Sequence, residues 1–178
     1  MNKIYETFIT DTGSEPVTLE QLKTFCRVTD SDNDDLLTEL ITIARKKIER
    51  YTLLSLVDKT IVLTGCINQM FLLPWPNISE VTQVRHLEGQ IVDTGANDWE
   101  ILDEDDYQLI GYHQKHFNPH LNGTTEITYT TTANTDSGLK HDLKRVALWL
   151  YENLGDDSDN MPVELMSNSK HLRLLNFL

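Results

Sequence analysis

Pro16-Val17-Thr18-Leu19-Glu20-Gln21-Leu22-Lys23 states where a helix begins and how the chain arrives there. Thr18 is the expected N-cap. Its side-chain oxygen can accept from the Gln21 N–H, while Glu20 puts a carboxylate into the first turn, where the helix dipole favours it. Pro16 keeps the approach extended. Leu22, Phe25 and Cys26 then share one face of a helix expected from about Leu19 to Arg27. An acidic link follows, and a second helical pattern begins: Leu36, Leu37, Leu40, Ile41, Ala44, Ile48 and Tyr51. It is expected over Asn33 to Tyr51 and would be about 28 Å long. Glu39, Thr42, Lys46, Glu49 and Arg50 occupy its other face, so the element is amphipathic with one buried stripe.

Beyond these helices the period changes. Thr60-Ile61-Val62-Leu63 and Met70-Phe71-Leu72-Leu73 are short apolar runs flanked by Gly65 and Pro74, which suits strands. Ile78, Val81 and Val84 open another extended run, with a turn signal at Leu87-Glu88-Gly89-Gln90 before Ile91-Val92. Trp99 to Leu102, Tyr107 to Ile110 and Thr125 to Thr130 complete about six strands. Ile127 and Tyr129 alternate with Glu126, Thr128 and Thr130, which predicts one covered and one wet face. No helix-length crossover separates the runs, so pairing is expected to be antiparallel.

Helical patterning resumes with Leu139, Leu143, Val146, Ala147, Leu150 and Leu154, with Gly155 as the expected C-cap. Leu148-Trp149-Leu150-Tyr151 is apolar nearly all round, the mark of a turn packed on more than one side. After the acids Asp156 to Asp159, Pro162 can open a last short helix through Leu165 and Met166. The sequence closes on Leu172-Arg173-Leu174-Leu175-Asn176-Phe177-Leu178. Chain ends normally fray in water, so so apolar an end calls for a groove to enter. The fold class is therefore α+β: one domain over 1–178, with a helical core of about four helices (16–57 and 138–178) and an antiparallel β-rich insertion at 58–133.

Composition narrows the functions available. Of 178 residues 39% are hydrophobic and 24% charged, which supports a packed core rather than wholesale disorder. No apolar run approaches the ~20 residues of a membrane span, and Met1 to Glu6 lacks the apolar stretch of a secretory signal. Cys26 and Cys66 have no metal-ligand spacing and read as reduced, buried small hydrophobes of a cytoplasmic protein. The net charge of −13 argues against a protein that grips a phosphate backbone. It fits either simple solubility or a surface that stays beside DNA without binding it.

Several segments, in order, resemble the long form of the tailed-bacteriophage head–tail connector family, the head-completion adaptors. They are Pro16 to Glu20 with Arg27-Val28; Asp35-Leu36-Leu37 through Leu40-Ile41 and Ala44-Arg45 to Glu49-Arg50-Tyr51-Thr52; Leu73-Pro74-Trp75-Pro76 with Ile78 to Val81 and Val84; Asp106-Tyr107; Ile127 to Thr130; and Leu139-Lys140 leading to Trp149 to Asn153. Two departures stand out. Leu53 follows Thr52 where the family usually has Gly, and Thr131-Thr132-Ala133-Asn134 replaces a common Thr-Ala-Gly-Tyr turn. The resemblance implies a virion protein at the head–tail interface, assembled in the host cytoplasm. It would form a ring, expected to be dodecameric, beneath the portal protein and present a platform to a stopper or tail-completion protein. DNA would pass through without specific binding, and neither cofactor nor membrane would be involved. The family's C-terminal segment commonly reaches the portal; here that is His171 to Leu178, with Leu172, Arg173, Leu174, Leu175, Phe177 and Leu178 as the contacting residues. Neighbouring subunits would meet through Arg45 and Glu49 of the long helix and Trp149 and Tyr151 of the later one.

Catalytic and metal readings are weaker. Asp30, Asp32 and Asp34 open like a calcium loop, but Asp35 sits where Gly is needed and Ile41 where the bidentate Glu belongs. They are read instead as capping and dipole partners of the second helix. Asp103 to Asp106 cannot all converge on one ion and read as a solvated loop. His113, His116 and His120 are the nearest thing to a zinc cluster, yet Asn118 and Pro119 break any helix and no fourth ligand is evident. A metal-dependent hydrolase built on these histidines is the rival function, and metal analysis of the purified protein separates the two. No nucleophile elbow, phosphate loop or dinucleotide fingerprint occurs. Trp75, Trp99 and Trp149 read as core or interface anchors rather than a base-stacking platform.

Overall fold

The structure, a computed structural model, describes residues 3–66, 70–72, 75, 77–86, 93–94, 99–104, 107–112, 124–154 and 161–169. It is a mixed α+β chain in two compact units: Met1–Gly13 with Val57–Ala133, and Ser14–Leu56 with Asn134–Leu178.

The first unit is built from strands β1 (Lys3–Asp11), β2 (Lys59–Cys66), β3 (Met70–Leu72), β4 (Ile78–His86), β5 (Asp93–Thr94), β6 (Trp99–Glu104), β7 (Tyr107–Tyr112) and β8 (Thr124–Thr131). They form a five-stranded sheet ordered β1-β2-β8-β4-β5 and a three-stranded sheet ordered β3-β7-β6. Every pairing among the described residues is antiparallel, as the short connections predict. In β8 the alternation holds: Ile127 and Tyr129 are buried with Ile61, Leu63, Ile78, Val81 and Val84, whereas Glu126, Thr128 and Thr130 are not. Burial pushes the Tyr129 hydroxyl well above the usual phenol range.

β1 was not legible as a strand. The β-rich part is therefore not only an insertion between helices, since the N-terminal strand joins the same sheet through Ile9 opposite Ile61 and Asp11 opposite Lys59. Lys59 is 2% exposed and pairs with Asp11. Asp58 fixes the end of β1, its carbonyl accepting from the Thr12 and Gly13 N–H groups. A Cβ at Gly13 would lie 2.8 Å from the Asp58 nitrogen, so glycine is required by close approach there.

The second unit is helical: α1 (Leu19–Cys26), α2 (Asp34–Thr52) and α3 (Ser137–Glu152). Thr18 caps α1 as expected, with Gln21 closing a reciprocal capping box. Of the acids expected to serve α2, Asp34 stands with Asp35 in its first turn, where the dipole favours them, but none supplies the cap. Asn33 is the N-cap and makes no side-chain cap bond, while Asp34 pairs with Lys23 of α1 and Asp30 accepts from the Asp32 N–H. Asp136 caps α3, accepting from Gly138 and Leu139 N–H at 2.7 and 3.1 Å. The expected fourth helix is a short 3-10 turn, Val163–Met166. The core joins Val17, Leu22, Leu37, Leu40, Ile41, Ala44 and Ile48 to Leu139, Leu143, Val146, Ala147, Leu150 and Met166.

Leu53, the residue standing where the family usually has Gly, is the left-handed C-cap of α2 with φ 62°. A side chain costs free energy in that conformation. Replacing Leu53 by Gly should therefore leave the protein about 1 kcal/mol more stable than replacing it by Ala, as read from urea unfolding midpoints. Equal stability of the two variants would remove the strain assigned to this turn.

Candidate functional site

The residues singled out from the sequence fall into three sets. The first, Arg45 and Glu49, lies on the buried side of α2, at 2% and 3% exposure. The Arg45 Nε donates to Glu15 at 2.9 Å and its Nη1 to Glu49 at 2.9 Å. Glu15 also accepts from the Thr42 hydroxyl at 2.8 Å, and Glu49 from the Leu56 N–H at 2.8 Å. The network ties the chain's entry into the helical unit (Glu15) and its exit (Leu56) to the same turn of α2. The Asn134 N–H, donating to the Ser55 carbonyl at 2.7 Å, anchors the chain's return in the same way. Arg45 and Glu49 thus tie α2 to the chain on either side of it.

The second set, Trp149 and Tyr151, is half-buried on α3 against the helical core. The Tyr151 hydroxyl accepts from the Asn33 amide at 3.3 Å, joining the end of α3 to the start of α2. Just beyond, Leu154 and Val163 are 58% and 55% exposed. The end of α3 and the 3-10 turn therefore carry the exposed large apolar residues of the helical unit among the described residues.

The third set, Leu172, Arg173, Leu174, Leu175, Phe177 and Leu178, lies outside the described residues, as do His113, His116 and His120. The turn that precedes the C-terminal segment in sequence is held on α3 by a buried carboxylate. Asp142 sits on α3 among Leu139, Leu143 and Val146 and is fully buried. Its Oδ1 accepts from the Asn168 side-chain amide at 2.7 Å, and its Oδ2 from the Ser169 N–H at 2.8 Å and hydroxyl at 2.7 Å. Arg145 stands 3.7 Å from the same carboxylate and donates to the Ser167 hydroxyl at 3.0 Å. Gly138 lets this turn approach: a Cβ there would lie 3.0 Å from the Asn168 Cβ. The available signal was a lone acid in register with an apolar stripe, a position that demands buried donors.

Charge is uneven along the chain. Of the 15 Lys and Arg residues only Lys3, Lys59, Arg85 and Lys115 belong to the β unit, against nearly half of the 28 acids. Arg85 is paired with Glu126 at 3.2 Å, and Lys59 with Asp11. Among the described residues no cluster of His, Cys, Asp or Glu is arranged to hold a metal ion, and no helix is long and apolar enough to cross a membrane.

Cys26 is a free, half-buried thiol; burial first, and then the Glu152 carboxylate, push its pKa up. The thiolate is the reactive form, so the shift lowers reactivity near neutrality. In a Cys66→Ser background, Cys26 should react with iodoacetamide several-fold more slowly in the folded protein than in urea. Equal rates would mean that the thiol is not shielded.

The fold is one seen in chains of gene transfer agent particles. A chain from the neck of an empty gene transfer agent particle computed with C6 symmetry superposes with a TM-score of 0.74 at 19% identity, covering 93% of this chain and 95% of that one. A chain from the virion of the native gene transfer agent particle gives 0.72 at 18% identity, covering 93% and 94%. A chain from the native neck computed with C12 symmetry gives 0.68 at 20% identity, covering 93% and 94%. Residues 16–74 match the family described as the phage gp6-like head-tail connector protein, which bears out the resemblance carried by the Pro16–Thr18 cap and the long second helix. No curated protein sequence matches the chain.

Proposed function

We propose that this protein is a virion component at the head–tail interface, one subunit of a ring that sits beneath the portal, continues the DNA channel and offers a platform to a stopper or tail-completion protein. The observation that carries the reading is the full-length likeness to neck chains, with 93% of this chain covered, joined to the connector-family match over residues 16–74. The C6 and C12 symmetry of those necks supports a ring of copies, expected here to be dodecameric.

The work of such a subunit is assembly rather than catalysis. The exposed Leu154 and Val163 and the half-buried Trp149 and Tyr151 supply a surface for a neighbouring subunit. Arg45 and Glu49 contribute from beneath by holding α2 in place. The terminal Leu172 to Leu178 segment docks on the portal, where burial supplies the free energy that water denies it. Because association covers these surfaces only when partners are present, ring formation is templated by the portal.

The scarcity of cations in the β unit supports a channel wall that DNA slides past. Duplex DNA should therefore fail to be retained by the purified protein near 0.15 M salt, since retention requires clustered phosphate contacts. Tight, salt-sensitive DNA binding would contradict the lumenal reading. Stoichiometric zinc or manganese in the purified protein would revive hydrolase chemistry at the three histidines.

A further inference from the structure

We propose that Asp142 is the positioning residue of the C-terminal segment, a buried carboxylate on α3 whose donors come from Asn168 and Ser169 and fix the turn to which that segment is joined. This rests on the docking reading given above and assigns the residue that aims the docking element.

The argument starts from solvation. A fully buried carboxylate without donors is strongly disfavoured, so Asp142 must be matched from within the protein. Three of its hydrogen bonds come from residues 168 and 169: the Asn168 amide, the Ser169 N–H and the Ser169 hydroxyl. Arg145 adds a cation at 3.7 Å and reaches on to Ser167. Ser169 is itself fully buried, and its N–H also faces the Met166 carbonyl at 3.1 Å. Moving the turn away from α3 would strip the carboxylate of its main donors at once, so anchoring here is cooperative.

A core of this kind could have been closed with leucine. An apolar contact holds a chain end loosely in register, whereas a carboxylate that uses both oxygens on two consecutive residues fixes register and direction. Lys170 follows immediately in sequence, and the apolar stretch begins two residues later. The residues that follow are thus joined to a turn whose register on α3 is fixed at Ser169.

The test uses the full-length chain and two readouts. Amide hydrogen exchange at Ser169 reports the anchor without a portal, and sedimentation with portal rings reports docking. Asp142→Asn should speed Ser169 exchange and weaken portal binding, each by about tenfold, the scale of a lost hydrogen bond to a charged group. The double variant Asp142→Asn with Asn168→Asp should restore both readouts, because the amide can then donate to the new carboxylate while its oxygen accepts from Ser169. Ser169→Ala, which removes one donor, should give a smaller change of the same sign and serves if Asp142→Asn does not fold. Faster Ser169 exchange with unchanged portal binding would overturn the positioning role alone. Unchanged portal binding after deletion of Leu172 to Leu178 would overturn the docking reading, and the positioning role with it.

Discussion

Replacing Arg45 by Ala should destabilise the helical unit by about 3–5 kcal/mol, because it removes one partner of a buried ion pair, the guanidinium that faces Glu49 at 2.9 Å. For a domain of this size the loss should lower the thermal midpoint by about 10 °C or more. The reasoning is one of asymmetry. The pair itself adds little, since both ions have left water; one ion alone in the same place is strongly unfavourable. Glu15→Gln is the informative control. Its side chain is 30% exposed, so solvent screens the contact with Arg45, and the expected cost is only about 1 kcal/mol. Calorimetry of the two variants checks the contrast. A mild Arg45→Ala phenotype would mean that Glu49 finds another donor and that the network is not what closes the unit.

The second large effect concerns assembly. Deleting Leu172 to Leu178 should leave a folded protein with an unchanged circular dichroism spectrum that no longer co-sediments with portal rings. Among the described residues, Met166 belongs to the helical core and Ser169 is buried on α3 through Asp142, both ahead of the deleted segment. Several leucines and a phenylalanine, each contributing about 1.5–3 kcal/mol when fully buried, are enough to decide whether a copy stays on the portal. Retained portal binding would remove the docking claim. Loss of folding would mean instead that the segment belongs to the chain's own core.

Much of the fold was legible because local signals agreed. Thr18 and Gln21 announce a reciprocal cap, the α2 stripe has a clean helical period, and β8 alternates without error. β1 was not legible, for a physical reason. Phe8 and Ile9 are adjacent, so they stand on opposite faces, and both remain exposed at 58% and 43%. Without one covered face the strand shows no period of two. Its identity comes from pairing with β2, which lies some fifty residues later.

The candidate site was partly legible too. A charged residue at a helix position is ordinarily read as solvated, so the helical period puts Glu49 on the face opposite the apolar stripe, whereas Arg45 and Glu49 are both buried. Their burial depends on partners outside the helix, Glu15 and the Leu56 backbone, that no helical period reports. The burial of Asp142 depends in the same way on residues outside its helix, although its place between Leu139 and Val146 carries the hint. The last helix shortened to a turn because Ser169 folds back on Met166 and Asp142 rather than continuing the spiral.

Electron microscopy of portal rings incubated with the full-length chain tests the central claim most directly. The account predicts a closed ring of copies, concentric with the portal and continuous with its channel. Copies that remain free in solution, or that attach singly and off the axis, would contradict it.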